Sequence, residues 1–188
     1  GVMYNNGQGV KQDYIKAKEL YKKAADQGYA YAQYNLGIMY NNGQGVKQDY
    51  IKAKELYEKA ADQGYAQAQY NLGVLYDKGN GVNKDLLKAK ELYEKAADQG
   101  YVQAQYNLGN MYRNAKGVNQ DYIKAKELYE KAAAKGLDRA QFNLGVIYAN
   151  GEGVKKNYSI AKEWFRKSCE GGFQLGCNNY KKLNQEGY

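Results

Sequence analysis

The sequence predicts an all-α solenoid of antiparallel helix pairs, and three observations carry that prediction. First, "AQYNLG" stands at 32–37, 68–73 and 104–109 and "AQFNLG" at 140–145, a spacing of 36 residues each time. A fixed period of this length marks one supersecondary unit repeated, each copy burying its apolar face only against its neighbours. Second, each copy holds two segments whose apolar residues recur at helical spacing. Third, a Gly-x-Gly turn separates those segments and a further glycine closes the copy.

The copy from Ala66 to Tyr101 shows each element in order. In "AQAQYNLGVLYDK" (66–78), Ala68, Leu72, Leu75 and Tyr76 fall on one helical stripe. Gly79 and Gly81 then supply turn conformations that other residues resist. Asp85 sits where an N-cap belongs, ahead of "LLKAKELYEKAADQ" (86–99), whose Ala89, Leu92, Tyr93 and Ala96 share a face. Gly100 follows as a stop, and Tyr101 leads into the next copy. We call the two helices A and B. Gly37, Gly73, Gly109 and Gly145 lie in the middle of helix A, where an exposed glycine costs about 1 kcal/mol against alanine. Their common phase predicts a close approach by a neighbouring helix.

Charge and hydropathy exclude more than they assign. The formal charge is +8, with pI near 9.2, but lysines alternate with glutamates along helix B. Glu55–Lys59, Glu91–Lys95 and Glu127–Lys131 are expected as i,i+4 pairs on a solvated face. A nucleic-acid footprint would cluster its cations instead. No run approaches the ~18 apolar residues of a membrane span. Gly1 falls at the phase of Gly37, so the chain is expected to start inside a helix A as a fragment, and targeting cannot be read from it. At the other end Lys181 takes the glycine phase and residues 174–186 are polar, as a capping helix at an authentic C-terminus would be.

"AQAQYNLGVLY", "GNGV" and "KAKELYEKAADQG" together resemble the Sel-one-like repeat, a relative of the tetratricopeptide repeat. The resemblance covers nearly the whole chain. It divides residues 1–188, taken as one repeat domain, into a partial repeat (1–28), full repeats (29–64, 65–100, 101–136, 137–172) and a C-terminal capping helix (173–188). Ala115 departs from the first loop glycine, Asn157 from the capping aspartate, and Trp164–Phe165 from Leu–Tyr. The resemblance implies a right-handed α-solenoid with helix A on the concave side, and a scaffold for protein–protein contacts.

Catalytic constellations are scarce. Without histidine there is no Ser-His-Asp triad and no imidazole metal site. "SIAK" (159–162) matches a Ser-x-x-Lys string, and cysteine-rich members of the family have been associated with β-lactam binding. Lys162, however, is in phase with Lys126, Lys90 and Lys54, a routine helix B position, so the match reads as coincidence. "DKGNGVNKD" (77–85) lacks the carboxylates of a Ca²⁺ loop, and the Gly-x-Gly turns lack the ending of a phosphate cradle. No cofactor and no metal is expected. Cys169 and Cys177 occupy phases that face each other across the turn between repeats. The alternative to a bond between them is two free thiols in a packed helical interface. "CEGGFQLGC" resembles the Cys-x7-Cys staple of the cysteine-rich branch, which implies a disulfide and an oxidising compartment, periplasmic or secreted.

Register with the tetratricopeptide pattern implies the binding rows. One row is Tyr34, Tyr70, Tyr106 and Phe142; the next is Asn35, Asn71, Asn107 and Asn143. A third is Ile38, Val74, Asn110 and Val146, and the outer rows include Arg139 and Arg113. Asparagine donates and accepts at once, which suits a peptide backbone. The same residues could equally only pack and cap between helices. The expected function is a non-enzymatic, monomeric scaffold that holds a peptide or protein, with Arg113 and Arg139 near an acidic side chain or C-terminal carboxylate. A β-lactam or cell-wall-linked activity and single-stranded nucleic-acid binding are the alternatives.

Overall fold

Aspartate caps fix where the B helices begin. The Oδ1 atoms of Asp13, Asp49 and Asp85 accept from the backbone N–H of Lys16, Lys52 and Lys88 at 2.9, 3.0 and 2.9 Å. Each satisfies one of the orphan donors of a first turn. The computed structural model describes residues 1–188, and its only regular elements are eleven α-helices. They fall into two compact units, Gly1–Gln99 and Gly100–Tyr188.

The first unit contains α1 (Val2–Asn6), α2 (Tyr14–Asp26), α3 (Ala30–Asn42), α4 (Tyr50–Asp62), α5 (Ala66–Lys78) and α6 (Leu86–Asp98). Consecutive helices pack on one another, as a solenoid of helix pairs requires. The expected stripes are the buried ones: Ala68, Leu72, Leu75 and Tyr76 on α5 meet Ala89, Leu92, Tyr93 and Ala96 on α6. Gly73 faces the Tyr93 ring so closely that a Cβ there would lie 2.8 Å from Cε1. The close approach expected for the mid-helix glycine is thus made by the tyrosine of the following helix. Gly81 has two reasons to lack a side chain: its φ is +68°, and a Cβ would lie 2.5 Å from the Cβ of Tyr50. The α5–α6 loop therefore rests on the start of α4, as the α3–α4 loop rests through Gly45 on Tyr14 at the start of α2.

The second unit contains α7 (Val102–Arg113), α8 (Tyr122–Ala134), α9 (Asp138–Asn150), α10 (Tyr158–Glu170) and α11 (Gln174–Gln185). Its core gathers Ala125, Tyr129, Ala132, Ala140, Leu144 and Ile147. Two departures from the repeat are absorbed locally. Ala115 adopts φ 54° in the place of the loop glycine, and it is the one non-glycine residue with positive φ. Asn157 caps α10 as the aspartates do, accepting from the Ile160 N–H at 3.0 Å. Cys169 and Cys177 are joined, their Cα atoms 4.4 Å apart, so the disulfide ties the end of α10 to α11.

One expectation is corrected. On α4, α6 and α8 the i,i+4 ion pairs are Lys54–Glu58, Lys90–Glu94 and Lys126–Glu130, at 3.1, 2.9 and 3.0 Å, not those one residue further on. Glu55, Glu91 and Glu127 are exposed, whereas Lys54, Lys90 and Lys126 are half-buried. A half-buried ammonium gains more from a fixed partner than an exposed one, because screening there is weaker.

Candidate functional site

Burying one stripe of each A helix leaves the opposite stripe outward. On α3 the buried side is Ala32, Leu36 and Met39, and the outward side is Tyr31, Asn35, Ile38 and Asn41. On α5 it is Gln67, Asn71, Val74 and Asp77 that face out. Apart from exposed Tyr31 these stripes are half-buried, and they carry aromatic, amide and aliphatic side chains with one carboxylate, Asp77. The outward side of the B helices is different: Lys52, Glu55, Lys59 and Asp62 on α4 are all exposed and charged.

The aromatic row wedges between neighbours. In the first unit the Tyr34 ring lies tilted, 5.1 Å from that of Tyr65 and 6.0 Å from that of Tyr57, and Tyr70 lies 5.6 Å from Tyr93. In the second, Tyr106 lies 5.9 Å from Tyr129, and Phe142 lies 5.6 and 5.3 Å from Phe165 and Phe173. Each ring is half-buried, one face given to packing. Burial raises the Tyr57 hydroxyl well above its ordinary value, and the Asn71 amide beside it works in the other direction.

The asparagines do unequal jobs. Asn35 donates to the Tyr31 carbonyl one turn back at 2.7 Å. In the second unit Tyr129 donates to Asn110 Oδ1 at 2.7 Å and the Asn143 amide donates to the same oxygen at 3.2 Å. Asn143 is buried, so it positions Asn110 and Tyr129. Burial, foremost, raises the Tyr129 hydroxyl, and the Arg113 charge opposes it. Asn107 is half-buried on the same stripe of α7.

The two expected arginines are in different states. Arg113 forms a bidentate pair with Glu152 of the α9–α10 loop: Nε to Oε2 at 2.7 Å and an Nη to Oε1 at 2.9 Å. Its side chain is 21% exposed and that of Glu152 16%. The hydrogen bond to Arg113, foremost, holds the Glu152 carboxyl below its ordinary value, and Asn150 adds a second donor. Arg139, by contrast, is exposed at the start of α9. Sequence reasoning missed Glu152. The available signal was its phase, where the other copies carry Gln8, Gln44, Asn80 and Lys116.

The Ser159–Lys162 string assembles no site. Ser159 is exposed on the first turn of α10, and the Lys162 amine donates to the Tyr188 carbonyl. No three His, Cys, Asp or Glu side chains are gathered as a metal ion needs, and no helix is long and apolar enough to cross a membrane.

Comparison with known proteins agrees with this architecture. The Sel1 repeat family model matches residues 1–29, 30–65, 66–101, 102–137 and 138–173. No curated protein matches the sequence. Among solved structures, c5321, a protective antigen of uropathogenic Escherichia coli with an SLR fold, is 37% identical, with a TM-score of 0.91. The match covers all of this chain and 40% of the antigen. A Sel1 repeat protein of Oxalobacter formigenes is 33% identical, with a TM-score of 0.90, over all of this chain and 76% of that one. The immunity protein Pa5087 of Pseudomonas aeruginosa is 25% identical, with a TM-score of 0.60, over 93% and 67%.

Proposed function

The chain belongs to the Sel1 repeat family, and from that premise we propose that it is a non-enzymatic scaffold binding a peptide or protein on the outward stripes of its A helices. The observation that carries this reading is the contrast between the faces. The A stripes offer aromatic rings and amides on rigid helices, while the B faces, beyond one exposed aliphatic residue in the first turn, carry solvated lysines and acids. Rigid aromatics give contact area at low entropic cost, and fixed amides match a peptide backbone. A similar chain, Pa5087, is described as an immunity protein, which suits recognition of another protein.

Within the stripes, Tyr34, Asn35, Tyr70 and Asn71 form the contact rows of the first unit, and Tyr106, Asn107 and Asn110 those of the second. Asn143 supports Asn110 from beneath. Arg113 is committed to Glu152, so Arg139 is the cation that meets an acidic side chain or C-terminal carboxylate of the partner. The Cys169–Cys177 bond supports an oxidising compartment, periplasmic or secreted.

The test is affinity for a partner captured with the full-length protein. Arg139→Ala is expected to weaken it by about 1.5–3 kcal/mol, the range for hydrogen bonds to charged groups, with no change in melting temperature. Unchanged affinity in Arg139→Ala, with loss in the B-face variant Glu55→Lys, would move the site to the other face.

A further inference from the structure

Every B helix of the first unit carries a large aliphatic side chain in the open at its second position. Ile15, Ile51 and Leu87, spaced by 36, are 63, 60 and 65% exposed. Where the copies differ, the character persists: Tyr50–Ile51 becomes Leu86–Leu87. A β-branched or leucine side chain gains nothing from water there, and packing does not require it. Beside each one is an open hollow, of about 810, 700 and 660 Å³ in chain order. Each is walled by the loop valine (Val10, Val46 or Val82) and by Tyr4, Tyr40 or Tyr76.

Charge at this edge has one sign to spare. Each hollow is lined by two or three lysines against a single aspartate; Lys54 is already paired with Glu58, so Lys11, Lys18, Lys47 and Lys84 are the open cations. Those aspartates, Asp13, Asp49 and Asp85, already accept from the helix N-termini they cap. Lys16, Lys52 and Lys88 are held over the Tyr4, Tyr40 and Tyr76 rings at 4.6, 5.4 and 5.0 Å, so their charges are fixed rather than wandering.

We propose that this edge of the first unit is a second docking surface, for an extended acidic peptide whose apolar side chains enter the hollows. A polyproline-II chain turns once in three residues, so apolar side chains at every third position line one edge of the peptide. The acidic residues between them meet the lysines. A flat anionic bilayer would meet the same lysines and leave the hollows unfilled, so concavity favours the peptide. The surface is independent of the A-helix stripes.

The probe is a fluorescent peptide repeating leucine–glutamate–aspartate over about fifteen residues, long enough to span the three hollows. Its controls are a leucine–lysine–lysine counterpart and vesicles of phosphatidylcholine and phosphatidylglycerol in equal parts. The wild-type chain is expected to bind the acidic peptide in a salt-sensitive way and to ignore the basic one. Ile51→Ser with Leu87→Ser, at exposed positions, is expected to weaken binding at least tenfold with an unchanged circular dichroism melt. Lys47→Glu with Lys84→Glu is expected to do the same, and Arg139→Ala to leave it unchanged. Absence of wild-type binding, binding as tight as wild type in either double variant, or vesicle binding lost in those variants without peptide binding would each overturn the proposal.

Discussion

Alanine at Gly73 is expected to destabilise the first unit, although alanine is the better helix former. The added methyl would lie 2.8 and 2.9 Å from Cε1 and Cδ1 of Tyr93 and 3.3 Å from the Ala89 carbonyl oxygen. Carbon atoms in good contact stand about 3.5–4.0 Å apart, so the ring must retreat by roughly 0.7 Å. Tyr93 is 1% exposed and cannot swing into water. Helix propensity returns about 1 kcal/mol, and overpacking a filled core costs about 1–3 kcal/mol or more. The carbonyl contact places this site at the high end, because backbone cannot rotate away. The net expectation is a loss of about 1–2 kcal/mol, or a fall of about 2–8 °C in melting temperature for a chain of this size. Urea unfolding followed by circular dichroism and tyrosine fluorescence reads it, with the slope checked, since repeat arrays depart from two-state behaviour. The same substitution in a Tyr93→Leu background should cost less than in the wild type, because the ring it strikes has gone. A rise in the unfolding midpoint for Gly73→Ala would refute the packing argument.

Four further outcomes follow from other contacts in the fold. Arg113→Ala strands the Glu152 carboxylate and should cost about 1–3 kcal/mol in a urea melt, whereas Arg139→Ala should cost nothing measurable. Because the folded state holds Glu152 below its ordinary value, that stabilisation is present above the ordinary glutamate range and is lost as pH falls through the folded value. Acid titration of the wild type against Arg113→Ala should show that difference narrowing. At the alkaline end, burial pushes the Tyr21 hydroxyl up to about 12, and Tyr57 and Tyr129 further still. Their contribution is complete below the ordinary tyrosine value near 10 and is lost as pH rises through the folded values, so unfolding should accompany tyrosinate absorbance. Reduction of Cys169–Cys177 opens a loop with a sequence separation of 8 and should cost about 2–3 kcal/mol in the chain-entropy account. Hydrogen exchange should report the loss first in α11.

Local features were legible because local rules made them. Period, stripe, cap and stop were set within one copy, and Asp85, Leu72, Tyr93 and Gly100 stand where the pattern put them. Gly73 announced a close neighbour by its phase; that the neighbour is Tyr93 needed three dimensions. What the pattern hid depends on residues far apart in the chain. Arg113 meets Glu152 39 positions away, through a loop whose course no periodicity describes. Asn143 shares its row with Asn35 and Asn71 yet is buried, because Asn110 replaces the Ile38 and Val74 of other copies and draws its amide inward. The lysine–glutamate pairs shifted by one residue for a similar reason: burial of Lys54, not spacing, selects Glu58.

The most direct test of the binding face is site-specific photo-crosslinking of the full-length protein in its own cells. A benzophenone side chain placed at Gln67 or Arg139, on the A stripes, should give one discrete heavier species, identified by mass spectrometry as the same partner from both positions. Placed at Glu55 or Glu91, on exposed B faces, it should not capture that partner. The same partner captured from Glu55 and Glu91, with Gln67 and Arg139 silent, would contradict the assignment of the A helices as the binding face.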